Sequence, residues 1–178
     1  FLDIRWEVLI DCDTLGHDVF IHPLPDYARI KNVWLPRSHS RNGEDLYGFL
    51  FEEKKGWPAP LAPDEFHLGL SDDNLPPDGL FAALAREIRE GADAIVFPMR
   101  GDSWDLKAAP ENIHPSAVDG GQAAIRRRIM GDIRFSSWSG NPCIDGHFLN
   151  AVHEATKRTA NWRFLDSPPM THNALRRG

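Results

Sequence analysis

Four short stretches hold side chains able to do chemistry. "DCD" places Asp11 and Asp13 at the end of an apolar run, and "SDDNLPPDGLF" places Asp72 and Asp73 at the end of another. "NPCIDGHF" offers Asp145 ahead of a helical pattern, and "PPMTHNALR" offers His172 in a polar stretch near the end of the chain. Adjacent carboxylates repel one another unless positive charge lies near them. Hard carboxylate oxygens suit Mg2+ or Mn2+, which takes one or two carboxylates together with the phosphate oxygens of a substrate. Asp72 and Asp73 therefore read either as acids of a helix start or as a cation site for a phosphate. The helix that follows is expected to begin near Pro77 or Asp78, with Asp78 as its N-cap, so the two acids come too early to cap it. Asp11 and Asp13 are also ordinary turn residues after a strand. Asp145 fits a helix cap as well as it fits a catalytic role on spacing alone.

The elements that must position these groups follow from periodicity. Strands are expected at Glu7 to Ile10, in "RIKNVWLP", in "EFHLGL", in "DAIVFPM" and in "NWRFLD". "PDGLFAALAREIREG" is the clearest helix, with Leu80, Leu84 and Ile88 at helical spacing and Gly91 as its C-terminal stop. "GEDLYGFLFEEKK" reads as a short helix, "DGGQAAIRRRIMG" as another, and "DGHFLNAVHEATKR" as a third with Phe148, Val152 and Ala155 on one face. "SPPMTHNALRRG" reads as a loop or tail. Strands alternating with helices argue for an α/β sandwich with a mainly parallel central sheet. In such sheets ligands bind beyond the carboxyl ends of the strands, where both acid pairs lie. The whole chain, 1–178, reads as a single domain.

"FHLGLSDDNLPPDGLFAALAREIREGADAIVF" resembles the middle of a family-2 glycosyltransferase of the GT-A fold. That family has an apolar strand, an acid cluster (the DxD motif), a short proline-bearing loop, and a helix ending "G-A-D" before another strand. Its earlier "WEVLVVDD"-like strand is matched by "WEVLIDCD" at Trp6 to Asp13. The resemblance implies a GT-A-like, Rossmann-like αβα sandwich, here lacking the family's usual first strand and helix. It also implies a metal-dependent transfer of a sugar from a nucleotide-diphosphate sugar to a glycan or other hydroxyl acceptor, with inversion. By the same resemblance Asp11 or Asp13 contacts the nucleoside, and Asp73 binds Mn2+ or Mg2+. Asp72 serves as ribose or metal partner, His172 completes the metal shell, and Asp145 is the catalytic base. Ser71 stands where the family's motif usually has its first acid.

Further residues carry two readings each. Gln122, after Gly120-Gly121, either hydrogen-bonds a sugar or acceptor or belongs to a turn and cap. Arg126 to Arg128 is expected to spread around a helix as solvated surface, since neighbours in sequence do not share a helical face. Trp57, Trp104 and Trp138 lie in loop-like stretches, where rings stack on sugar faces or, more commonly, pack beneath loops. "DCDTLGHD" partly matches the calcium-binding opening of nucleoside hydrolases and the D-x-D start of dehalogenase-like phosphatases, which gives a rival enzyme class. A catalytically inactive GT-A-like domain that binds a carbohydrate or a partner is the rival of another class.

Composition bounds the rest. A net charge of −6 leaves no basic excess to neutralise phosphate backbones, which argues against a nucleic-acid partner. Two cysteines, Cys12 and Cys143, are too few for a disulfide framework and lack metal-site spacing. No apolar stretch approaches the roughly 18 residues that span a bilayer, and no signal peptide is visible. A cytoplasmic protein with room for peripheral membrane contact is the resulting expectation. The opening "FLDIRWEVLI" reads as the tail of a helix running into a strand.

Overall fold

A computed structural model describes residues 63–70, 74–134, 141 and 143–172 in full, and residues 6–11 and 28–33 as backbone. Strands β1 (Trp6–Asp11) and β2 (Ala28–Val33) pair in parallel, with Trp6 opposite Ala28. The expected helix in "GEDLYGFLFEEKK" lies outside the described residues.

The element that organises the remainder is a four-stranded sheet of mixed direction. Its order is β3 (Phe66–Leu68), β7 (Ala123–Arg126), β4 (Ala94–Val96), β8 (Trp162–Phe164). β7 runs antiparallel to both β3 and β4, while β4 and β8 are parallel. Thus β3, β4 and β8 point one way and β7 is inserted against them. The expectation of mainly parallel pairing fails here because "AAIR", read as helical, is a strand. Its four residues are buried or nearly so. A short apolar run covered on both faces has no period to tell it from a helix.

Both faces of this sheet are covered. Helix α1 (Leu80–Arg89) places Leu80 and Leu84 in one core with Ile95, Phe97 and Ala124. A four-residue helix α2 (Arg127–Met130) follows β7, and the long helix α3 (Ile144–Thr156) lies further on. Phe148, Leu149 and Val152 of α3 share the other core with Val96, Ala123 and Ile125. Alternate residues of one strand thus enter opposite cores, as the pleat requires. Ala155, expected on the apolar face of α3, is exposed, and Ile144 and Leu149 complete that face instead.

Helix α1 begins two to three residues after the expected Pro77 or Asp78. Its N-cap is Gly79, at φ 82°, and no side chain caps it, so Asp78 does not fill that role. The amide of Leu80 donates to the Pro77 carbonyl at 3.2 Å. At the other end Gly91, at φ 84°, closes the helix as expected. The amide of Ala92 donates to Glu87 O at 2.9 Å and that of Gly91 to Ile88 O at 3.1 Å, the two bonds of a Schellman turn.

A second, three-stranded sheet lies beside the end of β4. Its strands are β6 (Asp105–Leu106), β5 (Met99–Arg100) and β9 (Met170–Thr171), in that order. β9 falls inside the stretch read as a loop or tail. Met170 is wholly buried, and removing such a side chain from water stabilises by about 2 kcal/mol, which anchors the segment as a strand. Thr171 also bridges Leu75: Leu75 N donates to Thr171 O at 2.8 Å and Thr171 N to Leu75 O at 3.0 Å. Among the described residues no helix is long and apolar enough to cross a membrane.

Candidate functional site

The carboxyl ends of β3, β4 and β8 and the amino end of β7 share one edge of the main sheet. The turn leading into β7, Gly120–Gln122, lies on that edge. Asp119 caps it, accepting from Gly121 N at 2.8 Å, and Gln122 returns the bond by accepting from Asp119 N at 3.2 Å. Gln122 is fully buried, and its amide nitrogen donates to Leu106 O at 3.4 Å. Of its two readings, the turn and cap describe its position: the side chain braces the turn from within.

Asp145 sits in the first turn of α3, whose N-cap is Cys143. An acid there is favoured by the helix dipole. One carboxylate oxygen accepts from its neighbour Gly146 N at 2.8 Å; the other crosses to Gly120 N at 2.7 Å. The helix start and the β7 turn are thus clamped together by one carboxylate. A carboxylate has about four acceptor positions, so two remain for a substrate proton. A side chain on Gly120 would strike Asp145, with Cβ atoms 2.9 Å apart, so only a bare backbone allows this approach.

The opposite side of the turn meets the segment that follows Asp72 and Asp73. Asn74 Nδ2 lies 2.9 Å from the place a Cβ on Gly121 would occupy. Asn74 Oδ1 is 2.9 Å from His172 Nδ1. With the amide oxygen as acceptor, His172 Nδ1 is the donor of this bond. His172 is held in turn by its own amide, which donates to Arg100 O at 2.8 Å, and its ring lies 5.6 Å from that of Trp104.

The structure therefore brings Asp145, the Gly120–Gly121 backbone, Asn74 and His172 together, although Asn74 and His172 stand 98 positions apart. Asp13, Asp72 and Asp73 lie outside the described residues, and Asp11 is described only as the last backbone position of β1. Among the described residues no group of three His, Cys, Asp or Glu side chains could hold a metal ion. Sequence reasoning passes over Asn74, whose signal is its place directly after the two acids.

It also passes over His67. This residue of β3 shares a recess with Asp145, lined further by Gly69, Ala123, Phe148 and Leu149. Burial pushes the His67 imidazole down to about 4. The folded protein keeps the ring neutral below its ordinary 6.5, whereas the unfolded chain takes up the proton. Stability is therefore complete above pH 6.5 and drains as pH falls toward 4, by about 3 kcal/mol at the bottom of that window. Urea denaturation across it is expected to show a slope that His67→Gln reduces; an unchanged slope would mean that His67 is not the buried titrating group. His153, buried on α3 with Nδ1 lacking a hydrogen-bond partner, is lowered by burial too and adds to the same slope.

The Arg126–Arg128 run is only in part a solvated helix surface: Arg127 and Arg128 open α2, and Arg128 is exposed. Arg126 ends β7, its side chain is only 13% exposed, and its guanidinium lies 4.8 Å from the Phe66 ring. Arg126 and Arg128 both pair with Asp93, the acid of the "G-A-D" stretch, at 3.4 and 2.7 Å. Asp93 also accepts from Asn161 N at 3.0 Å, which ties β4 to the approach of β8. Burial raises the Asp93 carboxyl, but the Asn161 amide and the two guanidinium groups outweigh it and hold it below its ordinary value. This cluster is structural and lies at the amino end of β4, away from the edge that carries Asp145.

The fold and the site together define a mixed α/β protein with polar groups gathered at the carboxyl ends of co-directional strands. No protein-family model matches the chain, and no curated protein matches it.

Proposed function

We propose that this chain is a metal-dependent glycosyltransferase of the GT-A kind, moving a sugar from a nucleotide-diphosphate sugar to an acceptor hydroxyl with inversion. One observation carries the reading. Asp145, which the resemblance assigns as base, is bonded to the glycine turn at the carboxyl edge of the sheet, and His172, which it assigns to the metal, is linked to that turn through Asn74. Asn74, the residue directly after Asp72 and Asp73, touches both that turn and His172.

In this reading Asp11 or Asp13 holds the nucleoside, with Asp72 at the ribose or the cation. Asp73 and His172 would hold Mn2+ or Mg2+, with the His172 ring positioned by its bond to Asn74. A bound divalent cation would neutralise the charge that gathers on the departing diphosphate. The acceptor hydroxyl gives its proton to Asp145 as its oxygen bonds to the anomeric carbon. The bond from that carbon to the diphosphate breaks, and its electron pair leaves with the nucleotide. Two backbone amides hold the Asp145 carboxylate in one orientation, as suits a positioned general base.

Thermal unfolding with Mn2+ and a panel of nucleoside diphosphates tests the proposal. A rise of several degrees that needs both metal and nucleotide is expected. No rise with any nucleotide would favour an inactive binding domain. A rise with free nucleosides and Ca2+ would favour the hydrolase-like alternative.

A further inference from the structure

Three contacts hold His172. Its backbone amide donates to Arg100 O at 2.8 Å, and its ring lies 5.6 Å from that of Trp104 at a tilt of 40°. The third contact comes from Asn74, and the strand pairing explains it. Leu75 and Thr171 exchange both of their backbone bonds, at 2.8 and 3.0 Å, so they form a hydrogen-bonded antiparallel pair. The next pair along is Asn74 with His172, of the non-hydrogen-bonded kind, whose side chains share a face and approach most closely. Across that pair Asn74 Oδ1 stands 2.9 Å from His172 Nδ1.

The other end of the Asn74 amide shows why it is turned this way. A Cβ on Gly121 would lie 2.9 Å from Asn74 Nδ2 and 3.1 Å from Asp119 Oδ1. The amide nitrogen is thus packed over bare backbone, on the side of a carboxylate. A carboxylate only accepts, so it favours the N–H end of an amide over its oxygen. The oxygen is left for His172, and Nε2 of that ring has no hydrogen-bond partner among the described residues. We propose that Asn74 is a positioning residue for His172: it fixes the ring as the Nδ1–H tautomer and presents Nε2 to the site beside the Asp145 turn. What Nε2 binds rests on the transferase reading; the positioning does not.

Long-range proton–nitrogen correlation NMR of the imidazole rings tests this on the intact chain, without metal and at a pH where the ring is neutral. His172→Gln identifies the His172 signals among the eight histidines. The wild type is expected to show one His172 form, with the proton on Nδ1. Asn74→Ala should mix it with the Nε2–H form, and Asn74→Asp, which keeps an oxygen acceptor, should retain the wild-type pattern. A role in stability alone would lower the melting temperature of Asn74→Ala and leave the His172 pattern unchanged. A wild-type His172 protonated on Nε2, or a folded Asn74→Ala with the wild-type pattern, overturns the proposal, and the first of these needs no variant at position 74. Titration with Mn2+ alone, followed by electron paramagnetic resonance, separates the positioning from the transferase reading. Asn74→Ala is expected to bind Mn2+ about 10- to 100-fold more weakly than the wild type. If the ring pattern changes as expected and the wild type binds no Mn2+, the positioning stands and the metal-dependent transferase reading falls. If folded Asn74→Ala keeps both the ring pattern and the wild-type Mn2+ affinity, the positioning falls and the transferase reading stands.

Discussion

Asp145→Asn is expected to fold, to keep its thermal response to Mn2+ and nucleoside diphosphate, and to lose sugar transfer by roughly 10²- to 10⁴-fold. The amide cannot take a proton from an acceptor hydroxyl. It also cannot accept with both of its ends, so either the Gly120 or the Gly146 N–H loses its partner. That loss costs about 1–2 kcal/mol, which a domain of ordinary stability survives. Transfer and stability thus separate: the stability change is small and the rate change large. A base role predicts that the rate constant falls while the donor's KM holds. If Asp145→Asn transferred at the wild-type rate while its melting temperature fell, Asp145 would be a clamp only, joining α3 to the β7 turn.

The second large effect falls on stability. Asp93→Ala is expected to cost about 3 kcal/mol in urea denaturation, because it removes the buried partner of Arg126 and Arg128. Arg126 would keep its bond to Ala92 O and its contact with Asp64, whose side chain is 74% exposed, and neither replaces a buried carboxylate. The pH dependence follows from the depressed Asp93 carboxyl. Its contribution is complete above the ordinary aspartate value of about 4 and disappears as pH falls through the lower folded value. This limb lies below the window in which His67 acts, so the two can be told apart in one titration. A loss under about 1 kcal/mol would show that the cluster is surface decoration.

Where the sequence spoke clearly, it did so through periodicity and stop signals. Leu80 and Leu84 at helical spacing, closed by Gly91, located α1 to within two or three residues. "AIVF" and "WRF" were legible as strands because short apolar runs flanked by turns have few other uses. "AAIR" was not legible. Two alanines and a basic run suggest a helix, and only the sheet around it, which needs small side chains between two helices, makes it a strand. That one segment decides the direction of two of the three pairings in the main sheet. "PMT" escaped for a similar reason: it is two residues of strand, stabilised by burial of Met170 and by partners some 70 and 95 positions away.

The candidate site was legible as residue types and not as a constellation. Asp145 and His172 stood out by chemistry, and their relation to one turn is visible only in three dimensions. Asn74 and the glycine backbone contribute through contacts that carry no sequence signature. Gln122 stood out as a polar residue after two glycines, and its side chain is spent on the turn.

The proposed cation site, in which Asp73 and His172 would hold a metal against a nucleoside diphosphate, is the step on which the transferase reading depends. It is tested most directly by calorimetric titration of nucleoside diphosphate into wild type and Asp73→Asn, with and without Mn2+. Binding is expected in the wild type with Mn2+, weakened by roughly a hundredfold or more when the metal is withheld or when Asp73 is Asn. Equal affinity with and without Mn2+, or in Asp73→Asn and the wild type, would contradict it.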